Sequence, residues 1–161
     1  MPPVSANEII KAIMDAFQQS GATAYYASET IQAHPRKFIV AYRGEAFPVW
    51  VYIWSLTHGG RPTLPDEYRI QMTSVTSPLE INPRGYTALL GYYPDQGMFA
   101  GFDLDKHRTF TTGSPSIQTD INAIHSAIQN GWSFYMKTND EIAVGIRPDM
   151  LLSYILSLIH I

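Results

Sequence analysis

The stretch from Phe47 to Ser55 (FPVWVYIWS) constrains the fold more than any other part of the chain. Its two-residue alternation marks a β-strand, with Val49, Val51 and Ile53 pointing one way and Trp50, Tyr52 and Trp54 the other. A strand that is apolar or aromatic on both sides is covered on both sides. One face is therefore expected to hold the core, and the other a ligand or a helix. Lys37 to Arg43 (KFIVAYR) reads as a second strand, joined to the first as a hairpin through Gly44 and Glu45.

Other segments repeat the strand pattern. Glu67 to Val75 places Tyr68, Ile70 and Met72 on one face and Arg69 and Gln71 on the other. Thr87 to Tyr93 and Met98 to Leu104 are joined by the turn Pro94-Asp95-Gln96-Gly97. Trp132 to Lys137 and Glu141 to Ile146 form a last hairpin around Thr138-Asn139-Asp140. Three segments have helical spacing instead. Ser5 and Glu8 form a capping box ahead of Ile9, Ile10, Ile13, Ala16 and Phe17, and Gly21 ends that helix. A middle helix is expected to start at Ser114-Pro115 or Ser116, with Ile117, Ile121, Ile124 and Ile128 as its stripe and Asn130-Gly131 as its stop. Pro148 opens a terminal helix carrying Leu151, Leu152 and Ile155. Ala22 to Pro35 is expected to be irregular. The sum is an α+β domain: a mostly antiparallel, twisted sheet or partial β-barrel of about six or seven strands, with N-terminal, middle and C-terminal helices.

A chain of 161 residues with 45% hydrophobic content can bury one proper core. No apolar run approaches the roughly 20 residues that span a bilayer, so no membrane partner is expected. The start, MPPVSANEII, lacks the pattern of a signal peptide, and the chain has no cysteine. Both features fit a cytoplasmic protein, and the lack of cysteine excludes disulfides and thiolate metal sites. The net charge of −3 disfavours non-specific binding to nucleic acid, which rests on phosphate contacts.

Motifs for chemistry are sparse. Pro65-Asp66-Glu67-Tyr68-Arg69 superficially matches a nuclease pattern, but that pattern needs an acid on one strand and an acid-x-Lys on the next. Here the letters are contiguous and the Lys is an Arg, so a strand opening is the better account. Asp103 and Asp105 with His107 could offer ligands to Mg²⁺ or Mn²⁺, but no second cluster supports them. His34, His58, His107, His125 and His160 form no zinc-binding spacing. There is no G-x-S-x-G elbow, and Gly59-Gly60 precedes Arg-Pro instead of a phosphate-loop Lys. No cofactor is implied. What remains is a recognition surface. Aromatic side chains on strand faces can stack on bases, although they are also ordinary sheet formers. Arg61, Arg69 and Gln71 suit base-edge or phosphate contacts. Ser116 and Gln118, at the expected helix start, could hold a phosphate at the positive end of the dipole.

The succession Trp54-Ser55-Leu56-Thr57-His58-Gly59-Gly60-Arg61, Asp66-Glu67-Tyr68-Arg69-Ile70-Gln71 and Leu89-Leu90-Gly91-Tyr92-Tyr93 resembles the N-terminal domain found ahead of HNH nuclease domains in some bacterial restriction endonucleases. Phe102-Asp103 with His107, Ser114-Pro115-Ser116-Ile117-Gln118, and Arg147-Pro148-Asp149 ahead of Tyr154 extend the likeness, which covers about Phe47 to Ile155. The resemblance implies a DNA-recognition domain, residues 1–155, partnered by double-stranded DNA and by a downstream nuclease domain that carries the catalysis. Contacts are then expected from Trp54, His58, Arg61, Tyr68, Arg69 and Gln71, with Tyr92, His107, Ser116 and Gln118 behind them. The acidic balance is most easily reconciled with this role if specificity comes from a pocket, such as one for a modified base, and affinity from elsewhere. Residues 156–161 (LSLIHI) resemble the in-frame translation of a transposon adapter, which implies a non-native tail on a shortened chain. Two alternatives stay open on the sequence. One is a metal-dependent nuclease or hydrolase using Asp66, Glu67, Asp103 and Asp105 with His107. The other is a protein-interaction or small-ligand module whose aromatic strand face is the partner patch.

Overall fold

The computed structural model describes residues 4–31 and 33–158. The first element is helix α1 (Ala6–Gln19). The Ser5 hydroxyl accepts the Glu8 amide at 3.1 Å, as the capping box predicts, and Ile9, Ile10, Ile13, Ala16 and Phe17 are buried. Strands β1 (Thr23–Tyr26), β2 (Arg36–Tyr42) and β3 (Glu45–Ser55) follow. Strand β1 corrects the expectation of an irregular stretch there, because it pairs antiparallel with β2 from Thr23↔Ala41 to Tyr26↔Phe38. The β2–β3 turn is Arg43-Gly44, one residue earlier than expected. Both residues have positive φ (52° and 83°), the backbone that a tight two-residue hairpin requires.

After β3 the chain leaves the main sheet for β4 (Thr57–His58) and β5 (Glu67–Gln71), then returns as β6 (Tyr86–Tyr93) and β7 (Met98–Phe102). A single turn, α2 (Leu104–His107), leads to β8 (Ser116–Asp120) and α3 (Ile121–Asn130). The hairpin β9 (Trp132–Met136) and β10 (Ile142–Ile146), a 3₁₀ turn at Pro148–Met150 and α4 (Leu151–Leu156) complete the fold. The main sheet has seven strands in the order β1-β2-β3-β6-β7-β10-β9, and only β3 and β6 run parallel. A second sheet of three strands has the order β4-β5-β8. The protein is α+β and mostly antiparallel, and neither sheet closes into a barrel.

Two cores lie on opposite faces of the main sheet. Val49, Val51 and Ile53 pack with Phe17, Phe38, Phe99, Leu152 and Ile155, so α1 and α4 cover that face. Tyr52 lies in the other core, with Leu89 of the main sheet, Ile70 and Ile117 of the small sheet, Leu56 and Met72 at the ends of its strands, and Ile124 of α3. The alternation in β3 therefore served two cores. At Gly91 of β6 the two sheets approach tightly: a Cβ there would lie 2.8 Å from Ile70 Cγ2 and 3.2 Å from Leu56 Cδ1.

The expected middle helix starts five residues later than Ser116. Ser116 to Asp120 is a strand with Ile117 and Thr119 buried, and it pairs with β5. The helix begins at Ile121, where the Asp120 carboxylate accepts the Asn122 amide at 2.8 Å. Strand β5 stops at Gln71 and not at Val75, with Ser74 at φ 61°. Residues 156–158 of the expected tail belong to the fold: Leu156 ends α4, and Leu156 and Leu158 pack on the first core. His160 and the rest of that tail lie outside the described residues. Among the described residues no helix is long and apolar enough to cross a membrane.

Candidate recognition site

Side chains directly opposite on neighbouring strands share a face. In the small sheet the register sets Arg69 between Thr57 and Gln118, Gln71 opposite Ser116, and Glu67 opposite Asp120. The intervening residues, Tyr68, Ile70, Ile117 and Thr119, face the second core. Apolar burial on one face thus forces a wholly polar row onto the other. Arg69, Gln71, Ser116 and Gln118, chosen from two segments far apart in sequence, meet on that row. Arg69 Nη1 lies 3.4 Å from Gln71 Oε1, and Arg69 makes no ion pair among the described residues.

Beside this row is a cleft of about 730 Å³ whose lining includes Arg61, Glu67, Ser116, Gln118, His107 and Lys137. Its far wall is the end of the β9–β10 hairpin, tied down by Lys106 Nζ donating to the Asn139 carbonyl at 3.2 Å. Behind the wall sits Glu141, with a fully buried side chain. His107 Nε2 and Lys137 Nζ donate to its Oε1 at 2.8 and 2.9 Å, and the Asp103 amide donates to Oε2 at 3.0 Å. Burial alone would push the Glu141 carboxyl up. The three donors overcome it and hold the group at about 2. Sequence reasoning missed Glu141, Lys137 and Asn139. A charged residue next to a Thr-Asn-Asp turn reads as exposed, and only His107, distant in sequence, reveals the cluster.

Several expected readers do other work. Arg61 is bound to Glu67 through Nε–Oε1 (3.0 Å) and Nη2–Oε2 (2.6 Å), and these hydrogen bonds hold the Glu67 carboxyl below its ordinary value. His58 uses both ring nitrogens on its own loop: Nδ1 accepts the Gly60 amide at 3.0 Å and Nε2 donates to the Pro65 carbonyl at 3.0 Å. Gly60 has φ 84°, which a glycine adopts readily. Tyr68 faces the other way, edge-on to His58 (5.4 Å) and Tyr93 (5.7 Å), in a separate groove of about 770 Å³. Tyr92 lies across the main sheet against Phe99 at 5.3 Å, packed on the α1 side. Trp54 donates to the Thr73 carbonyl at 3.2 Å and stacks on His34 at 4.4 Å, lining a third, small cleft. Ser116 and Gln118 are strand residues, so the helix-dipole account of them is replaced by cross-strand presentation. A shallow depression of about 1020 Å³ by Arg43, Arg84 and Tyr86 gathers none of the expected residues.

The metal-hydrolase alternative loses its constellation. Asp103 caps α2 by accepting the Asp105 amide, Asp66 accepts from Asn122 at 3.2 Å, Glu67 holds Arg61 and His107 holds Glu141. Among the described residues no three His, Asp or Glu side chains are grouped to hold a metal ion. The row offers planar amides, hydroxyls and the Arg69 guanidinium, with Glu67 and Asp120 at one end, which is equipment for hydrogen-bond recognition.

Fold and site together define an α+β domain that displays a small polar sheet beside a cleft. The chain belongs to the Methylase-associated X1 family, whose model matches residues 47–155, and this fits a restriction-modification-associated domain. No curated protein and no solved structure matches the chain.

Proposed function

We propose that this domain reads DNA for a methylase-associated restriction-modification module, using the outer face of the small sheet and the cleft beside it. The observation that carries this reading is the register that aligns Arg69 with Gln118 and Gln71 with Ser116 on one solvent-facing row. A guanidinium and planar amides are the groups that address base edges bidentately. The cleft, at about 730 Å³, has room for an extruded base, with Gln118, Tyr135 and Asn139 on its walls. The acidic net charge of −3 accords with specificity from such a pocket and non-specific affinity from another subunit or domain. The likeness to domains preceding HNH nucleases supports coupling of this reader to cleavage, and the family match supports coupling to methylation.

Gel-shift titration at low salt against duplexes with and without methylated cytosine or adenine tests the proposal. Arg69→Ala and Gln118→Ala should each weaken binding about 5- to 150-fold, the span of one bidentate contact. Absence of binding to every duplex, or binding indifferent to both substitutions, rejects it.

A second reading, docking onto the methylase, has its own observation. Phe134, Met136 and Ile142 are 70, 63 and 45% exposed on one face of the edge hairpin β9–β10, away from the cleft. A bare apolar edge is a common mark of an interface. Met136→Glu should then abolish co-purification with the methylase while leaving duplex binding intact.

A further inference from the structure

Among the described residues Arg36 is the one basic side chain in the buried class, only 5% exposed, and it forms no ion pair. Its Nη1 donates to the Ile31 carbonyl, and its Nε is buried with no hydrogen-bond partner among the described residues. Buried charges are normally paired, so a guanidinium left with an orphaned donor points to a missing counter-charge. Arg36 lines a cleft of about 240 Å³ together with Ala6, His34, Ser55, Thr73 and Ser74. Among the described residues no Asp or Glu lines it.

Ala6 is the first residue of α1, a helix of 14 residues. Ser5 satisfies only the later amides of that end, through its side chain to Glu8 and its carbonyl to Ile9. The Ala6 and Asn7 amides have no acceptor within the helix, and the positive end of its dipole is there. The Glu8 carboxylate accepts from the Ser5 hydroxyl at 3.4 Å, and its residue lines the neighbouring groove instead of this cleft. At about 30 Å³ per water, the cleft has room for one tetrahedral oxyanion and its remaining waters.

We propose that this cleft binds a phosphate-class oxyanion, held by the Arg36 guanidinium, the first-turn amides of α1 and the hydroxyls that line the cleft. The oxyanion is either free phosphate or a phosphodiester of nucleic acid. The site does not rest on the DNA reading above, because Arg36 and Ala6 lie outside the polar row and its cleft.

Thermal unfolding and Trp fluorescence of the full chain, titrated with sodium phosphate against sodium chloride at matched ionic strength, test it. Phosphate should raise the melting temperature saturably, with a fluorescence change from Trp54 at the cleft. Arg36→Met should weaken phosphate at least about tenfold, the value of a charge-assisted hydrogen bond. Ser55→Asp supplies Arg36 with an internal carboxylate. It should raise the melting temperature without phosphate and remove the phosphate response, and it decides the matter if Arg36→Met fails to fold. A response no larger than that to chloride, or one that survives Ser55→Asp, overturns the proposal. Competition by a short duplex assigns the oxyanion to nucleic acid, and its absence assigns it to free phosphate. Arg69→Ala should leave the phosphate response unchanged, which separates failure of this site from failure of the DNA reading.

Discussion

The two faces of the main sheet are covered in different ways. On one, α1 and α4 bring Ile13, Phe17, Leu151, Leu152 and Ile155 onto Phe38, Val49, Val51 and Phe99. On the other, a three-stranded sheet and α3 enclose a core that reaches buried polar groups, Thr119 and Glu141, at its margin. The helical face is secured chiefly by apolar burial, with the buried Arg36 at its margin. The small-sheet face uses burial to orient Arg69, Gln71, Ser116 and Gln118 outward. If the proposed reading holds, stability and recognition are carried by opposite sides of one sheet, and substitutions should divide accordingly.

The largest effect is expected on the helical face. Phe17 is fully buried and packs edge-on against Phe38 at 6.0 Å, so Phe17→Ala should cost about 4 kcal/mol in urea unfolding. The folded remainder should keep its duplex affinity, and a loss in proportion would dissolve the division. Next comes the buried carboxylate. Glu141→Gln leaves Lys137 and His107 without their anion and should cost about 3 kcal/mol. Its pH signature is distinct. The folded carboxyl sits at about 2 against an ordinary 4.5, so the protons favour the unfolded state in acid. Its contribution is complete above about pH 4.5 and disappears as pH falls towards 2, and urea midpoints of the variant should lose that portion of the acid slope. A slope identical to that of the parent protein would remove Glu141 from the account.

A smaller change probes the join between the two sides. Gly91→Val inserts atoms where Ile70 and Leu56 already close on β6, and should cost about 2 kcal/mol. Hydrogen exchange should show the amides of β5 and β8 losing protection while α1 retains its own. Uniform loss would mean the two sides unfold as one. The smallest stability effect is expected at Arg69→Ala, within about 0.5 kcal/mol, because no ion pair and only the long contact to Gln71 is lost. Its duplex affinity should nevertheless fall, and that combination is the sharpest form of the contrast.

What could be read in the sequence was what is local. Helix α1 was legible because its cap, its stripe and its stop lie within one segment, and the β2–β3 hairpin because its turn joins neighbouring strands. Strand β8 was not. Ile117, Ile121 and Ile124 fall at helical spacing, and a strand with two inward residues is too short to show its own period. Its identity is set by pairing with β5, a long-range contact that no local pattern encodes. The site divides in the same way. Alternation on β5 exposed Arg69 and Gln71 correctly. Ser116 and Gln118 were chosen as a helix terminus and reached the same surface by another route. His58 and Arg61 looked like reaching groups, but the loop turns back and its donors are spent on Pro65 and Glu67. Glu141 was illegible because its burial depends on α2 folding over a hairpin far along the chain.

The route of the chain gives the small sheet one more property. Strands β4 and β5 are an excursion between β3 and β6, and β8 belongs to a second excursion between β7 and β9. The frame completes its seven strands without either. Inward residues such as Ile70 and Ile117 anchor the excursions, while the outward ones, Thr57, Arg69, Gln71, Ser116 and Gln118, are free of that duty. The polar row is thus a replaceable face plate: its lettering can be rewritten position by position, or transplanted as two cassettes, while the chassis underneath keeps its own interior.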